Sequence, residues 1–149
     1  MYISIRAAVA SDVPALMALV NELAIYEKAP EEVTNTEAQM LKDGFGDNPI
    51  FGAFVAEKDG EIIGLSIYYY RYSTWKGKRM YLEDLVVSEA MRGCGAGKML
   101  FEATIVKGKE EGCTGMMWQV LDWNKPSIEF YKKYGAKFEG EWFNCHLDF

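Results

Sequence analysis

The sequence predicts one mixed α+β domain with a sheet at its centre, and three observations carry that prediction. Runs of strand length recur, and two of them meet at Lys58-Asp59-Gly60, a hairpin signal. Leu16, Leu19, Val20 and Leu23 fall at helical spacing. A glycine-rich stretch, Met91-Arg92-Gly93-Cys94-Gly95-Ala96-Gly97-Lys98, lies between an apolar strand-like run and a segment of helical character. With 149 residues, half of them apolar and a quarter charged, the chain can bury the core of one compact domain.

Taken in order, Tyr2 to Ala8 alternates and reads as a strand. Ser11-Asp12 with Pro14 marks the start of a helix over Ala15 to Tyr26, and Pro30 stops it. Thr34-x-x-Glu37 and Thr36-x-x-Gln39 both qualify as the capping box of a short helix through Leu41. Gly44, Gly46, Asn48 and Pro49 break the chain before two strands, Phe51 to Glu57 and Glu61 to Tyr72. Ser73 to Gly77 is a loop centred on Trp75, and Arg79 to Val87 is the next strand.

A helix over Met99 to Glu111 follows the glycines and closes at Gly112. Thr114 to Leu121 is nearly continuous apolar sequence, as expected of a strand covered on both faces. Asn124 caps a short helix with Pro126 in its first turn, ending at Gly135. Ala136 to Phe138 and Trp142 to Leu147 read as closing strands. The order is βαα, three strands, α, β, α, β(β), without repeat, linker or low-complexity segment; order alone does not fix the strand pairing.

The formal net charge of −6 argues against nucleic acid and anionic membrane as partners and suits a cationic substrate. Cys94, Cys113 and Cys145 are an odd count without a CxxC, and the chain has one histidine, His146. That is a poor disulfide framework and a poor metal site, so no metal and a reducing cytoplasm are expected. Met1-Tyr2-Ile3-Ser4-Ile5-Arg6 has no signal-peptide pattern, and no apolar run approaches the ~20 residues of a membrane span.

The glycine stretch is suited to an anion. Glycines at every second position let the backbone turn tightly and approach a ligand, and a helix start offers free N–H groups and a positive dipole end. Arg92 adds a fork of donors. The Walker spacing fails, because position 92 is Arg and Met99 stands where Ser or Thr would hold a metal. The dinucleotide fingerprint fails at Lys98. What remains, Arg-Gly-x-Gly-x-Gly entered from Leu85-Val86-Val87, resembles the coenzyme A pyrophosphate loop of the GNAT superfamily of N-acetyltransferases. The element order is that family's, and the resemblance implies a mostly antiparallel twisted sheet with a parallel splay, flanked by helices.

Further stretches narrow the likeness. Glu22-Leu23-Ala24-x-Tyr26-Glu27, Asp43-Gly44-Phe45-Gly46, Tyr81-Leu82-Glu83-Asp84 and Pro126-Ser127-Ile128-Glu129-Phe130-Tyr131 are similar to the spermidine/spermine N1-acetyltransferase-like branch. Tyr72-Ser73-Thr74-Trp75-Lys76-Gly77 and Leu121-Asp122-Trp123-Asn124 look most like its thialysine Nε-acetyltransferase subgroup.

The resemblance implies roles residue by residue. Tyr131, the tyrosine of Ser-x-x-Phe-Tyr, takes the general acid's place, and a phenol with a pKa of about 10 can protonate a thiolate. Glu83 takes the base's place. Glu83 and Asp84 are adjacent, so a regular strand points them to opposite faces, one lining the cleft. Leu85, Val86 and Val87 would pair with the pantetheine arm. Arg92, Gly93, Cys94, Gly95, Ala96, Gly97 and Lys98 would hold the pyrophosphate. Asn124, Lys125, Pro126 and Ser127 resemble a further coenzyme contact. Tyr26, Glu27 and Trp118, with Glu83, resemble acceptor positions, and Trp75 reads as either core or acceptor wall. Polyamine-acetylating members carry an acidic residue where this chain has Ser73, which favours a smaller, lysine-like amine.

Two readings follow. The first is an acetyl-CoA-dependent N-acetyltransferase in which a small primary amine, thialysine- or lysine-like or else a diamine or polyamine, attacks directly, without metal, in a cytoplasmic homodimer. The second is an acyl-CoA-binding sensor or scaffold of the same fold.

Overall fold

The computed structural model describes residues 2–149; Met1, which opens the stretch read above for a leader, lies outside them. The described residues fall into two compact units that meet in sequence between Trp118 and Gln119.

The first unit is built on a five-stranded sheet. Its strands are β1 (Ser4–Ala7), β2 (Gly52–Lys58), β3 (Glu61–Ser73), β4 (Gly77–Val87) and β5 (Met116–Met117), in that spatial order. The first four pair antiparallel, and β5 runs parallel to β4, with Met80 opposite Met116 and Tyr81 opposite Met117. The β2–β3 hairpin turns at Asp59 and Gly60, with φ of 51° and 76°. Two positive φ values fit a primed turn and the right-handed strand twist.

Helices cover both faces. On one, Val13, Leu16, Met17 and Leu19 of α1 (Val13–Tyr26) and Met40 of α2 (Glu37–Phe45) pack with Val55, Leu65, Ile67 and Val86. On the other, Ala96 and Leu100 of α3 (Ala96–Glu110) pack with Ala56 and Ile63. Burying a leucine such as Leu16, Leu65 or Leu100 completely contributes about 1.5–3 kcal/mol each. Thr104 of α3, fully buried, donates to the Leu100 carbonyl at 2.8 Å and shares a 2.9 Å hydrogen bond with the Ser66 hydroxyl.

Local chemistry sets the helix ends. The Thr36 hydroxyl accepts from the Gln39 N–H at 3.1 Å, so the second of the two candidate boxes supplies the cap of α2. Helix α2 runs past the expected Leu41 to Phe45. Asp12 precedes α1 but does not cap it. Its carboxylate takes the Val9 N–H at 2.7 Å and both Arg6 guanidinium nitrogens at 2.8 and 3.0 Å, tying β1 to the helix start. Helix α3 begins three residues before the expected Met99, because Gly95 at φ +90° caps it and Ala96, Gly97 and Lys98 form its first turn.

The expected strand Thr114–Leu121 shrinks to Met116–Met117, the stretch that finds a ladder partner in β4. In the second unit, residues 119–149, α4 (Lys125–Lys132) is held at both ends. The Asn124 side chain accepts from Ser127 N–H at 3.4 Å. At the other end the Ala136 N–H reaches the Tyr131 carbonyl and the Gly135 N–H that of Lys132, with Gly135 at φ +73°. This is a Schellman closure. The closing strands expected over Ala136–Phe138 and Trp142–Leu147 do not form. Alternation makes a strand only where another strand pairs with it, and Trp142, Phe143 and Leu147 are instead exposed. Among the described residues no helix is long and apolar enough to cross a membrane.

Candidate functional site

A cavity of about 510 Å³ opens in the first unit on the α1–α2 side of the sheet. Its walls are mostly apolar, with Met17, Val20, Val33, Met40, Phe51 and Ile67 among them. Its polar lining among the described residues is Asn35, Asp43, Tyr69, Glu83 and Asp84, with no lysine or arginine among them.

Glu83 and Asp84 both line this cavity, against the expectation that adjacent strand residues part to opposite faces. The cause is a β-bulge. Ile67 pairs with Asp84 and Tyr68 with Leu82, so Glu83 is an extra residue in β4. A bulge re-aims side chains by breaking the two-residue period. The packing follows suit. Leu85 and Val87, beyond the bulge, face α3, whereas Val86 joins the α1 cluster. Met80, before the bulge, lies on the α3 side, where a side chain on Gly108 would meet it.

The electrostatics follow from the shared face. Burial, then the charges of Glu83 and Glu27, push the Asp84 carboxyl up to about 7. Burial also raises Glu27, which the described fold puts within electrostatic reach of Asp84. The Tyr69 phenol donates to Glu83 Oε1 at 3.3 Å, and burial followed by the Glu83 charge pushes it up to about 12. The Tyr81 ring stacks on Tyr69 with centroids 5.1 Å apart. A cavity holding one carboxyl poised near neutrality among other carboxylates can bind an ammonium and take its proton.

The glycine stretch sits at the end of the same strand. Gly93 and Gly95 adopt φ of 82° and 90°, and nothing lies within 4 Å of where a Cβ would stand on either. Gly97 is helical and has no such constraint; its Cβ would touch Val87 at 3.6 Å. The first helical bond runs from Met99 N–H to the Gly95 carbonyl at 3.2 Å, which leaves the N–H groups of Ala96, Gly97 and Lys98 at the open end of a fifteen-residue helix. The Cys94 side chain packs against the α3-side core, not outward. The Arg92 guanidinium lies 4.7 Å from the centroid of the Tyr26 ring. An open, backbone-lined rim with a guanidinium beside it fits a pyrophosphate.

The structure thus brings Glu83 into the cavity lining, Glu27 within electrostatic reach of Asp84, and Tyr26 together with Arg92 and the glycine stretch. Trp118 is not part of the cavity lining; it packs edge-to-face on Phe101 of α3 at 5.3 Å. Trp75, 86% exposed at the β3–β4 turn, is not core. Ser73 Oγ accepts from the N–H groups of Trp75 and Lys76 there, so its hydroxyl holds the turn. In the second unit Tyr131 is buried on α4 and meets Phe130 edge-to-face at 5.4 Å, while Asn124, also buried, caps the same helix. Lys125 and Pro126 form the exposed first turn of that helix. Sequence reasoning missed Tyr69 and left Asp84 as the lesser of two carboxylates. Among the described residues no group of three or more metal-ligating side chains gathers.

The profile of the Acetyltransferase (GNAT) family matches residues 15–136. The chain is 36% identical to a thialysine N-epsilon-acetyltransferase of Bos taurus, across 97% of this chain and 91% of that one. It is 38% identical to the Sus scrofa protein of the same name, across 89% and 83%. In fold it resembles an aminoglycoside acetyltransferase from an uncultured soil metagenomic sample, with a TM-score of 0.82, 20% identity, and 99% and 97% of the two chains covered.

Proposed function

The chain belongs to the acetyltransferase (GNAT) family and is an N-acetyltransferase; from that premise we propose that its acceptor is a small, lysine-like primary amine, that acetyl-CoA lies along the end of β4 and the glycine stretch, and that the Glu83–Asp84 bulge receives the ammonium. The paired carboxylates on one wall of an apolar cavity carry this reading. An amine with a pKa of about 10 arrives charged, and the cavity supplies carboxylates to hold it and a group near 7 to accept its proton. The two carboxylates then divide the work: Glu83, fixed by Tyr69, orients the amine, and Asp84 takes the proton, directly or through water.

Acetyl-CoA, as co-substrate, supplies the thioester whose carbonyl the amine attacks. The residues present suit it: the helix-start N–H groups of Gly97 and Lys98, with the buried Ala96 behind them, and the Arg92 fork for the pyrophosphate, and the backbone of Leu85, Val86 and Val87 for the pantetheine arm. Asn124, Lys125, Pro126 and Ser127 would add contacts to the coenzyme, and Tyr131 would return a proton to the departing thiolate. Since the lining offers no cation, an amino-acid acceptor enters amine first and keeps its carboxylate at the mouth. The relatives named for thialysine point the same way. We further read the protein as a cytoplasmic homodimer: three free thiols suit a reducing compartment, and the exposed Trp142, Phe143 and Leu147 offer apolar surface for a second copy.

The test is coenzyme A release from acetyl-CoA across thialysine, lysine, spermidine, spermine, short diamines and a histone-tail peptide. A strong signal with thialysine and little with spermidine supports the reading. Preference for polyamines would refute the acceptor assignment, and silence across the panel with acetyl-CoA bound would favour the sensor.

A further inference from the structure

Helix α1 grips the segment leading into the glycine stretch at two points. Glu22 and Tyr26 are four residues apart, and so lie on one helix face. Glu22 Oε1 accepts from the backbone N–H of Glu89 at 2.6 Å. Three residues further along, the Arg92 guanidinium stands over the Tyr26 ring at 4.7 Å from its centroid. Arg92 is otherwise exposed, on a long side chain that keeps many rotamers in water. An aromatic face removes much of that freedom while leaving the planar fork's edges, with their donors, available to an anion.

We propose that Tyr26 is a positioning residue of the coenzyme side: its ring holds the Arg92 guanidinium beside the Gly93–Gly97 turn, ready for the pyrophosphate. The proposal rests on the acetyl-CoA reading above and moves Tyr26 from the acceptor role that the sequence resemblance implies. The neighbouring Glu27 keeps its place near Asp84, so one turn of α1 serves both substrates through adjacent residues.

The experiment is calorimetric titration of coenzyme A, which needs no turnover, into the parent, Tyr26→Leu, Tyr26→Phe, Arg92→Met and the Tyr26→Leu/Arg92→Met pair, with the KM for the amine measured alongside. Tyr26→Leu weakens coenzyme A binding about two- to fivefold, the range of an exposed cation–π contact. Tyr26→Phe, which keeps the ring, binds as the parent does. The double variant loses no more than Arg92→Met alone, because both changes remove one interaction. The KM for the amine stays put. Unchanged coenzyme A affinity in Tyr26→Leu, additive losses in the double variant, or a rise confined to the amine KM would each overturn the proposal. If Tyr26→Leu fails to fold by circular dichroism, Tyr26→Phe and Tyr26→Trp decide it: loss of coenzyme A affinity in both refutes a role for the ring. A parent that binds no coenzyme A would overturn the acetyltransferase reading and this proposal with it.

Discussion

Replacing Asp84 by asparagine tests the bulge directly. Its carboxyl titrates at about 7 because it is withdrawn from water beside Glu83 and Glu27. A group titrating there is about one-tenth ionised at pH 6 and about nine-tenths at pH 8. If the ionised form is the base, kcat/KM rises about tenfold per pH unit below 7 and bends above it. The assay is coenzyme A release at saturating acetyl-CoA from pH 5.5 to 8.5. Asp84→Asn should lower kcat/KM and remove the bend. Glu83→Gln, which deletes the nearer negative charge, should move the bend to lower pH. A thermal scan gives an independent sign. The folded-state pKa of Asp84 is raised, so its contribution to stability is present below about 4 and is lost as pH climbs through about 7. Asp84→Asn should therefore raise Tm more at pH 8 than at pH 5. A bend that survives in Asp84→Asn, or a Tm difference of the opposite sign, would refute the assignment.

Other outcomes follow from the same geometry. Tyr131→Phe should lower turnover at least about tenfold while coenzyme A still binds by calorimetry. Gly95→Ala, at φ +90°, should cost about 1–2 kcal/mol in chemical denaturation, whereas Gly97→Ala, already helical, should not destabilise the fold. Leu100→Ala, emptying a fully buried site between α3 and the sheet, should cost about 2–5 kcal/mol in the same assay.

Much of the architecture is legible in the residues because local chemistry fixes it. Asp59-Gly60 dictates a primed turn, Thr36 and Asn124 announce two helix starts, and Arg92 to Lys98 declares a turn open to an anion. The bulge was harder to read, yet it leaves a trace. The buried positions Met80 and Leu82 are even-numbered, while Leu85 and Val87, which face the same helix, are odd. That change of parity locates the extra residue between them and predicts that Glu83 and Asp84 share a face. The Tyr26–Arg92 contact was beyond reach, because it joins residues far apart in sequence through a contact that leaves no periodicity. The closing strands failed for a different reason. Trp142 to Leu147 has the alternation of a strand, but alternation describes a face and not the neighbour that must cover it.

The extra residue in β4 gives the carboxylate pair an unusual vulnerability. What holds the two groups side by side is chain length rather than side-chain identity. Shortening the strand by one residue at Glu83 would close the bulge, because Leu82 already pairs with Tyr68 and Asp84 with Ile67, and the ladder would run on without a slip. Met80 before the cut and Leu85 and Val87 after it would all keep their places on the α3 side, and the pair would be reduced to a single carboxylate. A single-codon deletion at this point thus injures the site and not the fold, much as an alanine at Glu83 spares the packing and removes only the charge. Ancestral or engineered relatives that differ in length inside this strand would be expected to hold a different acceptor, or none.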